Sequence, residues 1–231
     1  YKQDNYDPVT LADKESDEYI RKALHKLFPD DEILSEENDA RPKSYNNRVW
    51  MVDPLDGTKD FVAGRGTFSV MIGLLDKKVP VLGVVYNPIT DELIYATKGR
   101  GAFRIINGKK VRLKVGLVDK LDKATLVTRN QITGDKRPLD NDVDGLKVKS
   151  RIPEGSIGLK IGRIADTTAD LFVHTNTHGC KWDTLAPQVI LTEAGGVMKD
   201  LEGNQLDYTK ALVGWDKYFI AASNDKLLNE T

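Results

Sequence analysis

The sequence predicts an α+β fold in layers. Three observations predict it: a helical stretch near the start, a run of short apolar segments separated by turn residues, and a last portion that mixes the two patterns. Residues 10–28 are the helix. Ile20, Ala23, Leu24 and Leu27 recur at helical spacing, and Pro29 follows the last turn. Thr10 and Asp13 stand at the spacing of a capping box. The apolar pair Ile33-Leu34 precedes Glu36-Glu37, which places two carboxylates at the end of a short strand. Residues 48–53 make a buried strand that runs into the turn-rich Pro54-Leu55-Asp56-Gly57-Thr58.

Four further strands form a meander at 68–75, 81–87, 92–97 and 102–106, with Asn87-Pro88 and Asn107-Gly108 as turn residues. A strand is expected at 124–128, and the Asp-rich residues 134–145 are expected to be a surface loop. Beyond them the pattern predicts a helix at 157–165, a strand at 171–174, a helix at 183–194 closed by Gly195-Gly196, and a last strand at 218–222. Two subdomains are expected, 1–115 and 116–231, with their division near residues 115–150.

Composition narrows the function classes. The 231 residues are 40% hydrophobic and 30% charged, a globular mixture long enough to bury a core. A net charge of −1 gives no support to a nucleic-acid polymer as partner or to a polybasic membrane patch. No apolar run approaches the roughly 18 residues of a membrane span. The lone cysteine, Cys180, excludes an internal disulfide framework and fits a reducing, cytoplasmic setting. Because the chain begins at Tyr1, an amino-terminal piece that could carry a targeting segment is expected to precede it.

Asp53 to Thr58 carry the strongest chemical signal. Two carboxylates three positions apart follow a strand, Pro54 fixes one backbone angle, and Gly57 permits an unusual one. Such a loop can aim Asp53, Asp56 and a backbone carbonyl at one point, and an all-oxygen donor set suits Mg²⁺. A helix starting near Gly57 would add an anion site beside that cation, a combination that phosphate-ester chemistry needs. A plain surface turn uses the same residue types. Glu36-Glu37 also reads as a solvated acidic turn, Asp183 as an ordinary helix cap and Thr10–Asp13 as nothing more than a cap. His25, His174 and His178 read as surface or loop histidines, and Cys180 as a buried or half-exposed thiol.

Taken in order along the chain, four segments resemble the inositol monophosphatase superfamily of Mg²⁺-dependent, lithium-sensitive phosphatases. They are Asp7–Asp13, Ser35-Glu36-Glu37, Trp50–Thr58, and Trp182-Asp183-Thr184 with Glu193–Gly196. The resemblance implies a layered α-β-α-β-α fold and two or three Mg²⁺ ions. By matching position, Asp53 would bridge two ions. Glu36 and the main-chain oxygen of Leu55 would complete one site, and Asp56 and Asp183 the other. Thr58 and Asp13 would orient and deprotonate the attacking water, and the N–H groups of Gly57 and Thr58 would hold the phosphate. Lys2 falls at the spacing of a family lysine near the site.

Within the superfamily several segments are similar to the 3′(2′),5′-bisphosphate nucleotidases. Gly57-Thr58-Lys59-Asp60-Phe61 is one, and Gly179 to Pro187 is another, with Pro187 placed in the first turn of its helix. Gly155–Lys160 resembles the nucleotide-contacting segment, which gives Ser156 and Lys160 substrate roles, Lys160 toward the second phosphate. Thr128-Arg129-Asn130-Gln131 resembles the base-site segment and offers Arg129. Gly158 replaces the usual Ser, and Gln131 the usual His. Lys160 also reads as a solvated helix lysine, and Arg129 with Gln131 as a surface loop. The expected reaction is hydrolysis of the 3′-phosphate of adenosine 3′,5′-bisphosphate by a monomer or homodimer acting on a small phosphate ester. The alternatives are an inositol monophosphate or polyphosphate 1-phosphatase, and a non-catalytic nucleotide- or phosphate-sensing module.

Overall fold

The computed structural model describes residues 8–130, 143, 145–175, 179–210, 214 and 218–231. Helix α1 (Leu11–Leu27) is followed by β1 (Glu32–Ser35), β2 (Arg48–Asp56), the short α2 (Thr58–Val62), β3 (Ser69–Asp76), β4 (Val79–Asn87), β5 (Glu92–Thr97), β6 (Gly101–Ile106) and β7 (Lys109–Arg112). These seven strands form one sheet in sequence order. β1 lies parallel to β2, and the other neighbours are antiparallel. Asn107 and Gly108 both take positive φ, which matches the twist of the β6–β7 hairpin.

The second sheet holds β8 (Thr125–Arg129), β9 (Ser150–Glu154), β10 (Leu171–His174), β11 (Val197–Asp200) and β12 (Phe219–Ala222), in the order β11-β12-β10-β8-β9. β9, β8 and β10 run parallel, and β12 pairs antiparallel with both β10 and β11. Helices α3 (Ile157–Ala165) and α4 (Lys181–Ala194) and the single turn α5 (Asp225–Leu228) complete the chain.

Side-chain alternation assembles five layers. Leu24 of α1 packs on Trp50, Val52 and Leu74, the outer face of the first sheet. The opposite face, through Met71, Val85 and Ile94, meets Leu159 of α3 and Ala186, Val189 and Ile190 of α4. The far sides of these helices, through Ile157, Ile161, Ile164 and Leu191, meet Val127, Phe172 and Phe219 of the second sheet. Leu171 and Val173, one residue either side of Phe172, face outward onto Leu227 and Leu228 of α5. The fold is therefore α+β, with α-β-α-β-α layering. β2 is covered on both faces, which explains its nearly unbroken burial from Val49 to Leu55.

Two glycines set how closely α4 approaches the first sheet. Gly73 and Gly83 face each other across β3 and β4. A Cβ on Gly83 would lie 2.2 Å from the Ala186 carbonyl oxygen, and one on Gly73 would lie 2.8 Å from Leu185 Cγ. α4 can thus carry Asp183 to the end of β2.

Several expectations are corrected. α4 begins at Lys181 and not at Asp183, because Asp183 closes a capping box on Cys180. Pro187 therefore lies inside the helix and not in its first turn, where it cannot donate to the Asp183 carbonyl. His174 is not a surface or loop histidine: it belongs to β10 and stacks on Phe219 with ring centroids 4.6 Å apart. His25 is exposed and Cys180 buried, as expected. β7, β9 and β11 have no counterpart among the strands expected from the sequence. β9 is polar, carries Pro153 and forms a sheet edge, so it lacks the apolar signal of a central strand. Lys2, Asp7, Gln131, His178 and nearly all of the 134–145 loop lie outside the described residues.

Candidate active site

The regular pairing of β2 with β3 stops at Asp53–Met71 and resumes at Asp56–Ser69. Pro54 and Leu55 fill the irregularity. Leu55 N–H turns back to donate to Asp53 Oδ1 at 2.9 Å, which holds that carboxylate at the bend. Gly57 then takes φ 94°, a left-handed conformation that Gly adopts without strain, and α2 starts at Thr58. Ser16 Oγ on α1 donates to the Pro54 carbonyl at 3.0 Å, tying the first helix to the loop.

The same helix brings Asp13 to Thr58. Asp13 is buried, with Oδ2 accepting from Thr10 N–H at 2.7 Å and Thr10 Oγ1 at 2.5 Å. Its other oxygen is 3.2 Å from Thr58 Oγ1, whose alternative acceptor is the Leu55 carbonyl at 3.1 Å. Asp13 thus does more than cap α1. A carboxylate fixed by its own helix start is aimed at a hydroxyl 45 residues away.

Four acidic side chains surround this bend. Asp53 is buried, and its side chain hydrogen-bonds those of Glu36 and Asp183. Burial, then the charges of Glu36, Asp56 and Asp183, push the Asp53 carboxyl well above the usual carboxylate range. Asp183 is pushed the same way by burial and by Glu36 and Asp56, although Cys180 N–H donates to its Oδ2 at 2.6 Å. Asp56 is raised by burial, but its Oδ2 accepts from Ser156 Oγ at 2.5 Å and Gly158 N–H at 3.0 Å, and the Lys160 ammonium pulls it back down.

These carboxylates fit a hard divalent cation. Gathering like charges at one buried bend is costly for each of them, and a cation between them would offset that cost. An all-oxygen set of Glu36, Asp53, Asp56, Asp183 and the Leu55 carbonyl is the donor chemistry Mg²⁺ takes.

The residues read as substrate contacts are placed differently. Ser156 is fully buried behind Asp56, with its hydroxyl 2.5 Å from Asp56 Oδ2 and 2.6 Å from Ser69 Oγ. Gly158 has no room for a side chain, since a Cβ would lie 2.6 Å from Met71 Sδ and 2.8 Å from Val85 Cγ1. Glycine suits that close approach. Lys160 is not a solvated helix lysine: it is buried, with Nζ 2.8 Å from the Gly155 carbonyl and 5.2 Å from the Phe172 ring centroid. Arg129 is half-buried at the end of β8. Glu193 stands away from the carboxylates and clamps the β5–β6 turn, accepting from Gly99 and Gly101 N–H at 2.7 Å each. Ser69 and Gly158, both supports of Asp56, left no role signal in the sequence.

Comparison with known proteins agrees with this geometry. The model of the inositol monophosphatase family matches residues 1–231. Inositol monophosphatase 2 of Solanum lycopersicum is 36% identical over 97% of this chain and 86% of its own. The 3′(2′),5′-bisphosphate nucleotidase CysQ of Aggregatibacter actinomycetemcomitans is 33% identical over 90% of this chain and 77% of its own. Among solved structures, an IMPase/NADP phosphatase complexed with Mg²⁺ and phosphate superposes with a TM-score of 0.79 at 25% identity, covering 96% of this chain and 80% of that one. The chain belongs to the inositol monophosphatase family and is a phosphatase of that Mg²⁺-dependent family. No helix among the described residues is long and apolar enough to cross a membrane.

Proposed function

We propose that this member of the family removes the 3′-phosphate of adenosine 3′,5′-bisphosphate, giving AMP and phosphate. The observation that supports a bisphosphate over a monophosphate is Lys160. Its buried ammonium lies close enough to Asp56 to pull that carboxyl down, on a segment similar to the nucleotide-contacting segment of bisphosphate nucleotidases. An ammonium there can meet a second, non-reacting phosphate. Arg129, at the end of the neighbouring strand, is the proposed contact for the rest of the nucleotide.

Glu36, Asp53, the Leu55 carbonyl, Asp56 and Asp183 would hold two or three Mg²⁺ ions. When bound, the ions supply charge stabilisation of the attacking and leaving oxygens and make water acidic enough for a weak base to suffice. Thr58 Oγ1 orients the attacking water, and the proton passes by way of that hydroxyl to Asp13, whose Oδ1 lies 3.2 Å away. The N–H groups of Gly57 and Thr58 cradle the phosphoryl oxygens. Thr10 donates two hydrogen bonds to Asp13 Oδ2, which holds the carboxylate in place and leaves Oδ1 facing Thr58. A non-catalytic sensor would have no use for this Thr58–Asp13 pair.

A second reading, hydrolysis of an inositol monophosphate, is favoured by the 36% identity to a protein named for that activity. Phosphate release from adenosine 3′,5′-bisphosphate, inositol 1-phosphate and inositol 1,4-bisphosphate, each with Mg²⁺, decides among them. We expect the adenosine bisphosphate to give the highest kcat/KM, with inhibition by Li⁺ and no turnover in excess chelator. Preference for an inositol phosphate would establish the second reading. No release from any ester with Mg²⁺ would leave the sensor.

A further inference from the structure

Asp60 takes no part in the steps above, yet it is buried at the meeting point of every segment assigned to the substrate. It lies on α2, two residues after Thr58, and is only 6% exposed. Its Oδ1 accepts from Asn130 Nδ2 at 2.6 Å and from Thr67 Oγ1 at 3.1 Å, and Arg65 Nη1 stands 3.6 Å away. Asn130 Nδ2 also lies 2.8 Å from Thr67 Oγ1, closing a triangle. The Thr67 carbonyl in turn accepts from Ser156 N–H at 3.0 Å. Gly155 passes so close that a Cβ there would lie 2.1 Å from the Thr67 oxygen and 2.8 Å from Asp60 Oδ2.

Asp60 and the Thr67 it holds therefore join three stretches far apart in sequence: the Thr58 turn, Asn130 just past β8 through the carboxylate, and the entry to α3 at Gly155-Ser156 through the Thr67 carbonyl. Helix α2 has only five residues and cannot hold its own orientation by length. Burying a carboxylate against a surface turn would be costly without partners; here Thr67 and Arg65 of the following loop supply two, and Asn130, beyond β8, supplies the third.

We infer that Asp60 is a positioning residue that fixes the span between the phosphate cradle and the segments holding the rest of the substrate, and so selects esters large enough to reach both. This rests on the reading that the Thr58 turn and residues 129–130 and 155–160 face one substrate. A displaced α2 would still cradle a phosphate, but the far contacts would fall out of register. Small esters would not notice the change.

The test compares adenosine 3′,5′-bisphosphate with phenyl phosphate in the Mg²⁺-loaded enzyme, for Asn130→Ala, Asp60→Ala, the pair combined, and Asp60→Asn. We expect KM for the larger ester to rise about tenfold or more in either alanine variant, the loss of one hydrogen bond to a charged group. For phenyl phosphate kcat and KM should stay within about twofold, a split that plain destabilisation would not give. The double variant should be little worse than either single one, because both break the same link. Asp60→Asn keeps an oxygen for Asn130 and Thr67 and should recover most of the loss. Equal losses on both esters, or additive losses in the double variant, would overturn the proposal. Asn130 sits half-buried at a strand end, so its variant gives an answer even if Asp60→Ala does not fold. If the wild type does not turn over the adenosine bisphosphate, the nucleotidase reading falls by itself. The same comparison is then made with inositol 1,4-bisphosphate as the larger ester, and the span proposal stands or falls on it alone.

Discussion

Asp53 and Asp183 on one side of the bend and Asp56 on the other are carboxylates of the same cluster, held in opposite ways. Asp53 and Asp183 have mainly other acids for company, and burial together with like charge raises both well above the ordinary range. Asp56 is buried too, but it sits at the start of α3 with a hydroxyl, a backbone N–H and an ammonium directed at it. One side of the cluster is thus a charge conflict that a proton or a cation relieves. The other is a ligand set in place before any cation arrives. The difference teaches that a family motif can be read as a list of acids while the protein treats those acids unequally.

The largest break in this comparison is Asp53→Asn. It removes the central carboxylate, and turnover should fall on the order of a thousandfold or more, measured as phosphate release with saturating Mg²⁺. Stability of the metal-free protein should move the other way. The raised Asp53 carboxyl binds more protons folded than unfolded, so its contribution is favourable at low pH and is lost as pH rises through the folded pKa. The metal-free variant should therefore melt above wild type at pH 7–8, with the gap closing toward pH 4. Mg²⁺ should raise the melting temperature of wild type and barely that of the variant. Near-native turnover, or a metal-free variant less stable at pH 8 than wild type, would refute the assignment.

Ser156→Ala attacks the ordered side. The hydroxyl contacts Asp56 and Ser69, and the residue is fully buried. Loss of such support behind a ligand costs about 10- to 100-fold in metal affinity or activity. The Mg²⁺ concentration for half-maximal rate should rise by that factor while KM for the ester, at saturating Mg²⁺, holds. The opposite pattern would return Ser156 to the substrate role that its sequence segment suggests.

Legibility follows the same division. The Asp53–Thr58 bend could be read because its residues are contiguous and each has a distinct backbone or charge property. α1 and the β3–β6 meander could be read because each has one covered and one open face, or alternates. The bounds of α3 could be read as well, at 157–165, but not the burial of Lys160, because both faces of that helix are covered by sheets. The support of Asp56 by Ser156 joins residues 100 apart, and that of Asp60 by Asn130 joins residues 70 apart. No local spacing announces such pairs. They exist only once the two sheets are stacked on α3 and α4.

Lys160→Met makes the smallest change and separates two uses of one charge. The methionine fills the apolar space beside Phe172 and removes only the ammonium. If Lys160 meets the second phosphate, kcat/KM for adenosine 3′,5′-bisphosphate should fall roughly tenfold or somewhat more, nearly all of it in KM. An ester without that phosphate, such as inositol 1-phosphate, should lose much less. The ammonium also lowers the Asp56 carboxyl, so its removal leaves Asp56 holding a proton to higher pH. Half-saturation by Mg²⁺ should then worsen slightly at the acidic end of the pH range and converge with wild type as pH rises. A loss equal on both esters, carried by the Mg²⁺ requirement, would assign Lys160 to the Asp56 side of the cluster alone. The bisphosphate preference would then depend on Lys59, Asp60 and the α4 segment from Thr184 to Pro187.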